Sequence, residues 1–216
     1  MTQVGAASRY LVQPDGGRVV LEGSMGVITK IPGTATNRVI SIVEHPVAGR
    51  IMVPPHVHQD HDEWSYILEG RIGARVGDDE FIAPAGSYIL KPRQIPHVFW
   101  NPDDSPARIL EIITPSGLEE MFARFGELGA TGALNPQTMA ETAAQYGSTM
   151  SMDWVPDLML WFDKSLPPAA WGLSDSNNTI IDGSAGDPNS PVRLLIIPVR
   201  RWSDGKSALP NDAKFR

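Results

Sequence analysis

The 216-residue chain contains no cysteine, so disulfides, thiolate zinc sites and cysteine nucleophiles are excluded. Any bound metal must therefore take nitrogen and oxygen ligands. No run approaches the roughly 20 apolar residues that cross a bilayer, and we expect a cytoplasmic protein with no membrane partner. The formal net charge is −7, with Lys and Arg scattered along the chain, so we expect no nucleic-acid partner. Chemistry on a small molecule is the leading class that remains.

Residues 10–115 consist of short β-branched and aromatic runs, such as EWSYILEG and ARILEII, separated by Gly, Pro, Asn and Asp. Runs of this length and spacing are typical of an all-β barrel or sandwich. The segment VGDDEF, residues 76–81, carries paired aspartates between two such runs and predicts a hairpin turn. We therefore interpret residues 10–115 as a β-barrel.

After this region the apolar period changes to about 3.6, which predicts a helical segment over residues 116–162 that packs on the barrel. Ser116 is the expected N-cap of a first helix ending near Gly129. Asn135 and Pro136 are expected to begin a second helix, which Gly147 closes, and MDWVPDLMLWF predicts a third. We expect residues 163–216 to be a partly ordered extension, in which VRLLIIPV adds at most an edge strand.

The stretch PPHVHQDHDEW, residues 54–64, holds three of the five histidines. Residues two apart on a strand project to the same side, so His56 and His58 would share one interior. Glu63 begins the next strand, and a hairpin return would bring its carboxylate opposite the pair. His97 begins a later apolar strand and would complete a set of three imidazoles and one carboxylate. The pattern predicts a metal site, with a polar surface loop as the weaker interpretation.

Other residues of this region receive secondary interpretations. His61 lies between two aspartates and is expected to be solvated, with an orienting contact to a ligand as the alternative. His45, before Pro46, is expected to be a strand-end residue rather than a ligand. Strand alternation offers further side chains as candidates for the pocket wall, although ordinary barrel core is the favoured interpretation of each one: Phe99, Ile67, Ser65, Tyr88 and Met52.

The histidine pattern resembles the two sequence motifs of the cupin superfamily. The first motif is matched by Gly49, His56, His58, Glu63 and Gly70, and the second by Gly86, Pro92, His97 and Asn101. Only the gap after Gly49 is one residue longer than in the family pattern. Gln94 stands where the family prefers glycine. Because a left-handed backbone costs a non-glycine residue ~1–2 kcal/mol, we expect the turn before His97 to differ in shape.

The resemblance covers roughly residues 15–115 and implies a mainly β fold, a cupin double-stranded β-helix (jelly-roll barrel) with C-terminal helices. EIITPSGLEEMF and the helical pattern after it are similar to the single-barrel quercetin (flavonol) 2,3-dioxygenases. That likeness implies His56, His58, Glu63 and His97 as metal ligands. It also implies that Glu63 contacts a substrate hydroxyl and acts as a catalytic acid or base.

Three imidazoles and one carboxylate suit one divalent transition metal, and we expect Fe first, with Mn, Ni, Co, Cu and Zn also compatible. The leading hypothesis is a metal-dependent dioxygenase that uses dioxygen and a small aromatic or polyphenolic substrate. Two alternatives stay open, a non-oxidative metal-dependent isomerase or lyase and a small-ligand-binding protein without catalysis. We also expect a homodimer, since cupins often pair sheets across subunits.

Overall fold

The computed structural model describes residues 10–151 together with Trp154 and Leu158. The predicted third helix falls largely outside these described residues, and the extension of residues 163–216 falls wholly outside them. Within the described part the elements in chain order are β1 (Arg18–Leu21), β2 (Val27–Ile31), a 3-10 helix (Gly33–Thr36), β3 (Ser41–Val47), β4 (His56–His58), β5 (Asp62–Glu69), β6 (Arg71–Val76), β7 (Asp79–Pro84), β8 (Tyr88–Lys91), β9 (His97–Trp100), β10 (Ala107–Thr114), α1 (Leu118–Ala130), α2 (Pro136–Gln145) and β11 (Ser148–Met150).

The strands form two antiparallel sheets. The six-stranded sheet has the order β1-β2-β3-β10-β5-β8, and the five-stranded sheet has the order β11-β4-β9-β6-β7. Apolar side chains from both sheets form one buried core, which includes Val43, Ile67 and Ile109 from the first sheet and Ile72 and Phe99 from the second. This arrangement confirms the predicted mainly β jelly roll followed by helices.

Strand β10 lies between β3 and β5 and is hydrogen-bonded to both. Its burial alternates strictly, with Ala107, Ile109, Glu111 and Ile113 buried and the residues between them partly exposed. A period of two is the signature of a strand with one face on the core. Glu111 therefore occupies a core position, which places a carboxylate inside the barrel.

The turn predicted in VGDDEF is present at Gly77 and Asp78, where β6 returns as β7 with Val76 paired to Asp79. The returning strand β7 has the sequence DEFIAP. β7 lies at one edge of the five-stranded sheet, and only Ala83 of its six residues is buried, so its sequence carries a weak apolar signal.

Helix α1 begins at Leu118 with Gly117 as its N-cap, so the prediction of Ser116 as the N-cap is wrong. No side chain caps the first-turn amides, and Glu119 of the first turn instead accepts a hydrogen bond from the N-cap amide, Gly117 N, at 2.7 Å. Helix α2 follows the prediction, because Asn135 Oδ1 accepts hydrogen bonds from Gln137 N and Thr138 N.

The helices pack on the barrel through the apolar face of α1, in which Leu118, Met121 and Phe125 are buried. Gly126 lies so close to β1 that an added Cβ would overlap the carbonyl oxygen of Val20.

Within the described residues, no helix is long and apolar enough to cross a membrane.

Large apolar side chains are exposed on the outer face of β5 and β8, at the edge of the six-stranded sheet. Trp64 is 50% exposed, Leu90 55% and Tyr88 79%. In β8 the inward positions are Ile89 and Lys91, so Tyr88 points outward and its prediction as a pocket wall is wrong. The homodimer stays a prediction.

Glu119 joins α1 to the barrel, because its buried carboxylate also accepts hydrogen bonds from Gly33 N at 2.9 Å and Ser41 Oγ at 2.7 Å. Glu119→Ala leaves these donors without an acceptor in a buried place, and we expect a loss of about 3 kcal/mol in the free energy of unfolding. Urea-induced unfolding of the wild type and the variant measures this difference in the free energy of unfolding. Glu120→Ala on the same turn removes only the surface ion pair with Arg38 and should change stability by less than about 0.5 kcal/mol. Equal losses in both variants would contradict the assignment.

Candidate metal centre

The structure brings His56, His58, Glu63 and His97 together inside the barrel. Their nearest ligand atoms, one from each residue, all lie within 4.8 Å of one another. His56 and His58 come from β4, and His97 comes from the neighbouring strand β9, where it is paired directly with His56. Glu63 belongs to the other sheet. It therefore reaches the histidines across the barrel interior. The sequence had predicted a hairpin neighbour, and this part of the prediction is wrong.

Each imidazole is held in place through its Nδ1 atom. His56 Nδ1 lies 2.7 Å from Pro54 O and His97 Nδ1 lies 3.0 Å from Ile95 O. A carbonyl oxygen can only accept, so these Nδ1 atoms carry the proton and the Nε2 atoms carry the lone pair. His58 Nδ1 contacts Ser148 Oγ at 2.6 Å. This is the usual way in which metal-binding histidines are oriented.

The Nε2 atoms of His58 and His97 lie close to Glu63. Glu63 Oε2 lies 3.2 Å from His97 Nε2 and 3.5 Å from His58 Nε2. Both Nε2 atoms are buried, and within the described part of the chain neither has a hydrogen-bond partner. Buried nitrogen atoms that lack a partner are costly unless something binds them. A metal ion coordinated by the four residues would satisfy all of these atoms, so the site fits such an ion.

The protonation states also suit metal binding. Burial, followed by the neighbouring His97 and His58, holds the pKa of His56 well below its usual value. Burial likewise lowers the pKa of His97. For Glu63, burial alone would raise the pKa, but Lys91 and then His58 outweigh it and hold the pKa well below the usual range. Neutral imidazoles and an ionised carboxylate are the forms that bind metals.

Two buried residues that the sequence analysis did not select extend the site. Lys91 Nζ lies 3.0 Å from Glu63 Oε2 and 2.9 Å from Glu111 Oε1. Ser65 Oγ donates to both carboxylate oxygens of Glu111 at 3.1 Å. Burial raises the pKa of Glu111 to about 7, against the opposing effect of Lys91. Strand alternation could have found Lys91 and Glu111, since both occupy inward positions of their strands. Ser148, in contrast, gave no local signal.

Gln94 adopts the left-handed conformation, with a φ of 64°, that glycine adopts readily. The expected change of shape in the turn before His97 is therefore not observed. Gln94 N donates a hydrogen bond to His58 O at 2.7 Å, and this bond helps to offset the cost of the backbone conformation. The turn thus links the carbonyl of one candidate ligand residue to the strand that carries another.

The remaining histidines lie outside the group of candidate ligands. His61 Nδ1 contacts Pro115 O at 2.7 Å, which places the ring against the chain just before α1. His45 is buried within β3, its Nδ1 lies 3.1 Å from Gly26 O, and burial lowers its pKa to about 4. Four of the suggested wall residues are buried in the barrel, namely Phe99, Ile67, Ser65 and Met52.

Comparison with known proteins gives a family match for the barrel. Residues 43–113 match the model of the cupin domain. A search of curated proteins finds no match. Among solved structures, the chain is similar to a protein from Thermus thermophilus, with 26% identity over 43% of this chain and 84% of that one and a TM-score of 0.39.

Two further structural likenesses have similar extents. An RmlC-like cupin from Shewanella frigidimarina shares 15% identity over 52% of this chain and 96% of its own, with a TM-score of 0.44. A predicted oxalate decarboxylase from Thermotoga maritima shares 18% identity over 44% of this chain and 83% of its own, with a TM-score of 0.41. Overlaps of this extent indicate no particular activity. The domain match and the two facing sheets together identify the fold of the barrel as a cupin jelly roll.

Proposed function

We propose that this protein is a metal-dependent oxidoreductase, a dioxygenase that acts on a small aromatic or polyphenolic, flavonol-like substrate. The observation that carries the proposal is the convergence of three imidazoles and the Glu63 carboxylate on one buried point, where two Nε2 atoms have no partner among the described residues. Such an arrangement is costly for a folded protein unless a ligand binds there.

The donor set favours a divalent transition metal, with Fe as our first choice and Mn, Ni, Co, Cu or Zn as alternatives. A redox-active ion held by these four residues would supply positions at which a substrate and dioxygen can bind together. The protein's own contribution is orientation, because hydrogen bonds to the carbonyls of Pro54 and Ile95 and the contact with Ser148 fix the imidazole rings before an ion arrives.

Glu63 is proposed to have a second role as the acid or base for the substrate. Its carboxylate lies among the three imidazoles in the barrel interior, where an oxygen atom would face the enolic or phenolic hydroxyl of a substrate bound at the centre. Phe99 is a buried aromatic residue near the candidate centre. Phe99 lies on the same strand as His97, is 6% exposed, and has its ring centroid 5.4 Å from Lys91 Nζ.

A second candidate function is a non-oxidative metal-dependent isomerase or lyase. One observation favours it: Glu111, a buried carboxyl with a pKa of about 7, is linked to Glu63 through Lys91. A group that titrates near neutrality is suited to proton transfer. Binding of a small ligand without turnover is the remaining possibility, and the experiments below separate the three.

Metal content tests the centre itself. Wild-type protein should purify with, or take up, close to one equivalent of a transition metal, measured by inductively coupled plasma mass spectrometry. His58→Ala removes one of the four ligand groups, and its metal content should fall to background. His61→Ala is the matched control, because this histidine lies close to the H-x-H pair in the chain but outside the candidate ligands. Equal metal content in the two variants would refute the centre.

Ser148 should position His58 through the contact between its Oγ and His58 Nδ1. Ser148→Ala removes the oxygen, and we expect metal affinity to fall about 10–100-fold, measured by competition with a chromophoric chelator. Thr149→Ala, the neighbouring exposed position of β11, should leave the affinity unchanged. If both variants bind the metal as tightly as wild type, Ser148 has no orienting role.

Oxygen consumption distinguishes the candidate reactions. With a panel of flavonols and catechols in an oxygen electrode, the metal-loaded protein should consume dioxygen, and His97→Ala should not. Loss is expected because His97 supplies one of the four ligand atoms. Product formation under strict anaerobiosis, with zinc accepted, would favour the isomerase or lyase instead. Saturable ligand binding with no product under either condition would leave a binding protein.

A further inference from the structure

Lys91 is a buried cation beside the candidate metal centre. It is the last residue of β8, pairs in register with Glu63, and is 2% exposed. Buried lysines require anionic partners, and Lys91 has two, Glu63 and Glu111. A cation next to a cation-binding site is an unusual arrangement that calls for an explanation.

The geometry places Lys91 and a metal ion in competition for one atom. Lys91 Nζ lies 3.0 Å from Glu63 Oε2, the same oxygen that lies 3.2 Å from His97 Nε2 and 3.5 Å from His58 Nε2. An ion bound among the imidazoles would draw electron density from this oxygen. It would also repel the ammonium group, because two positive charges a few ångströms apart in a poorly hydrated interior interact strongly.

Glu111 provides the ammonium group with another partner. Its Oε1 atom lies 2.9 Å from Lys91 Nζ, and Ser65 Oγ donates to both of its oxygens. When a metal takes Glu63, Lys91 can remain paired with Glu111 and need not become an isolated buried charge. Glu111 and Ser65 lie opposite each other on neighbouring strands, so this second partner is part of the sheet framework.

We propose that Lys91 is an internal competitor for the metal. Lys91 holds and positions the Glu63 carboxylate in the metal-free protein. Glu111, as the second partner of Lys91, determines how easily the ion pair between Lys91 and Glu63 breaks when a metal binds. This inference rests on the proposed metal centre and adds to it a positioning residue that sets metal affinity. Lys91 thereby keeps the site assembled without an ion and at the same time weakens the binding of any ion.

The proposal predicts opposite effects for two substitutions. Lys91→Met removes the competing cation and should tighten metal binding. Glu111→Gln removes the alternative partner, commits Lys91 to Glu63 and should weaken metal binding. A merely structural role would give weaker binding in both variants, because each would loosen the same buried network. The sign of the change in affinity therefore separates electrostatic competition from structural support.

The experiment is a titration of metal-free protein with Co²⁺ by isothermal calorimetry. We expect the dissociation constant to fall about tenfold in Lys91→Met and to rise about tenfold in Glu111→Gln, the order expected for one charge at this distance. Arg93→Met is the control. It also removes one positive charge near the end of β8, but from a side chain that is 43% exposed and paired with Asp62, and should change the constant less than about twofold.

The double variant Lys91→Met/Glu111→Gln covers the case in which either single variant fails to fold, since it removes both charges together. Thermal unfolding of the metal-free proteins shows which variants fold. The double variant should bind Co²⁺ more tightly than Glu111→Gln. If Glu111→Gln does not fold, the double variant should bind Co²⁺ more tightly than wild type. Co²⁺ binding in Lys91→Met that is unchanged or weaker than in wild type would refute the proposed competition. If Lys91→Met does not fold, the same result in the double variant would refute it. If wild type itself binds no Co²⁺, the metal centre fails, and this inference fails with it.

Discussion

The negative charge of Glu63, buried to 3% exposure, is the constraint on which the interior depends. An isolated carboxylate at that depth would cost several kcal/mol. Its compensation comes from Lys91 on β8. Lys91 needs a counter-charge of its own, which Glu111 supplies. One buried charge therefore accounts for two further buried ionisable groups on the same sheet, those of Lys91 and Glu111.

The parts of the site that the sequence predicted are those that depend on local order along one strand. His56 and His58 are two residues apart, so strand alternation suffices to place them together, and Glu63 and His97 lie at the start of apolar strands. The mainly β fold class was predicted from the same kind of local signal, the short β-branched and aromatic runs between turn residues. Lys91 was not predicted, although it occupies an inward position of β8. Its pairing with Glu111 requires β5 to lie between β8 and β10. Strand order depends on the whole fold and cannot be read from a local stretch of sequence.

The errors at single positions have physical reasons. Ser116 has the right residue type for an N-cap, but the helix starts after Gly117, whose own amide donates to Glu119 in the first turn. Tyr88 was assigned to the interior, whereas Ile89 and Lys91 are the inward residues of β8 and Tyr88 is 79% exposed. At Gln94, a hydrogen bond to the carbonyl of His58 maintains a backbone conformation that residue type alone disfavours.

The contact between His58 and Ser148 has a consequence for what counts as one functional unit. The cupin match ends at residue 113, yet the oxygen atom against His58 comes from residue 148, after both helices have passed over the barrel. Strand β11, which carries it, completes the five-stranded sheet beside β4. The candidate metal centre therefore includes a contact from beyond the matched region, and helices α1 and α2 connect the barrel to the strand that provides it.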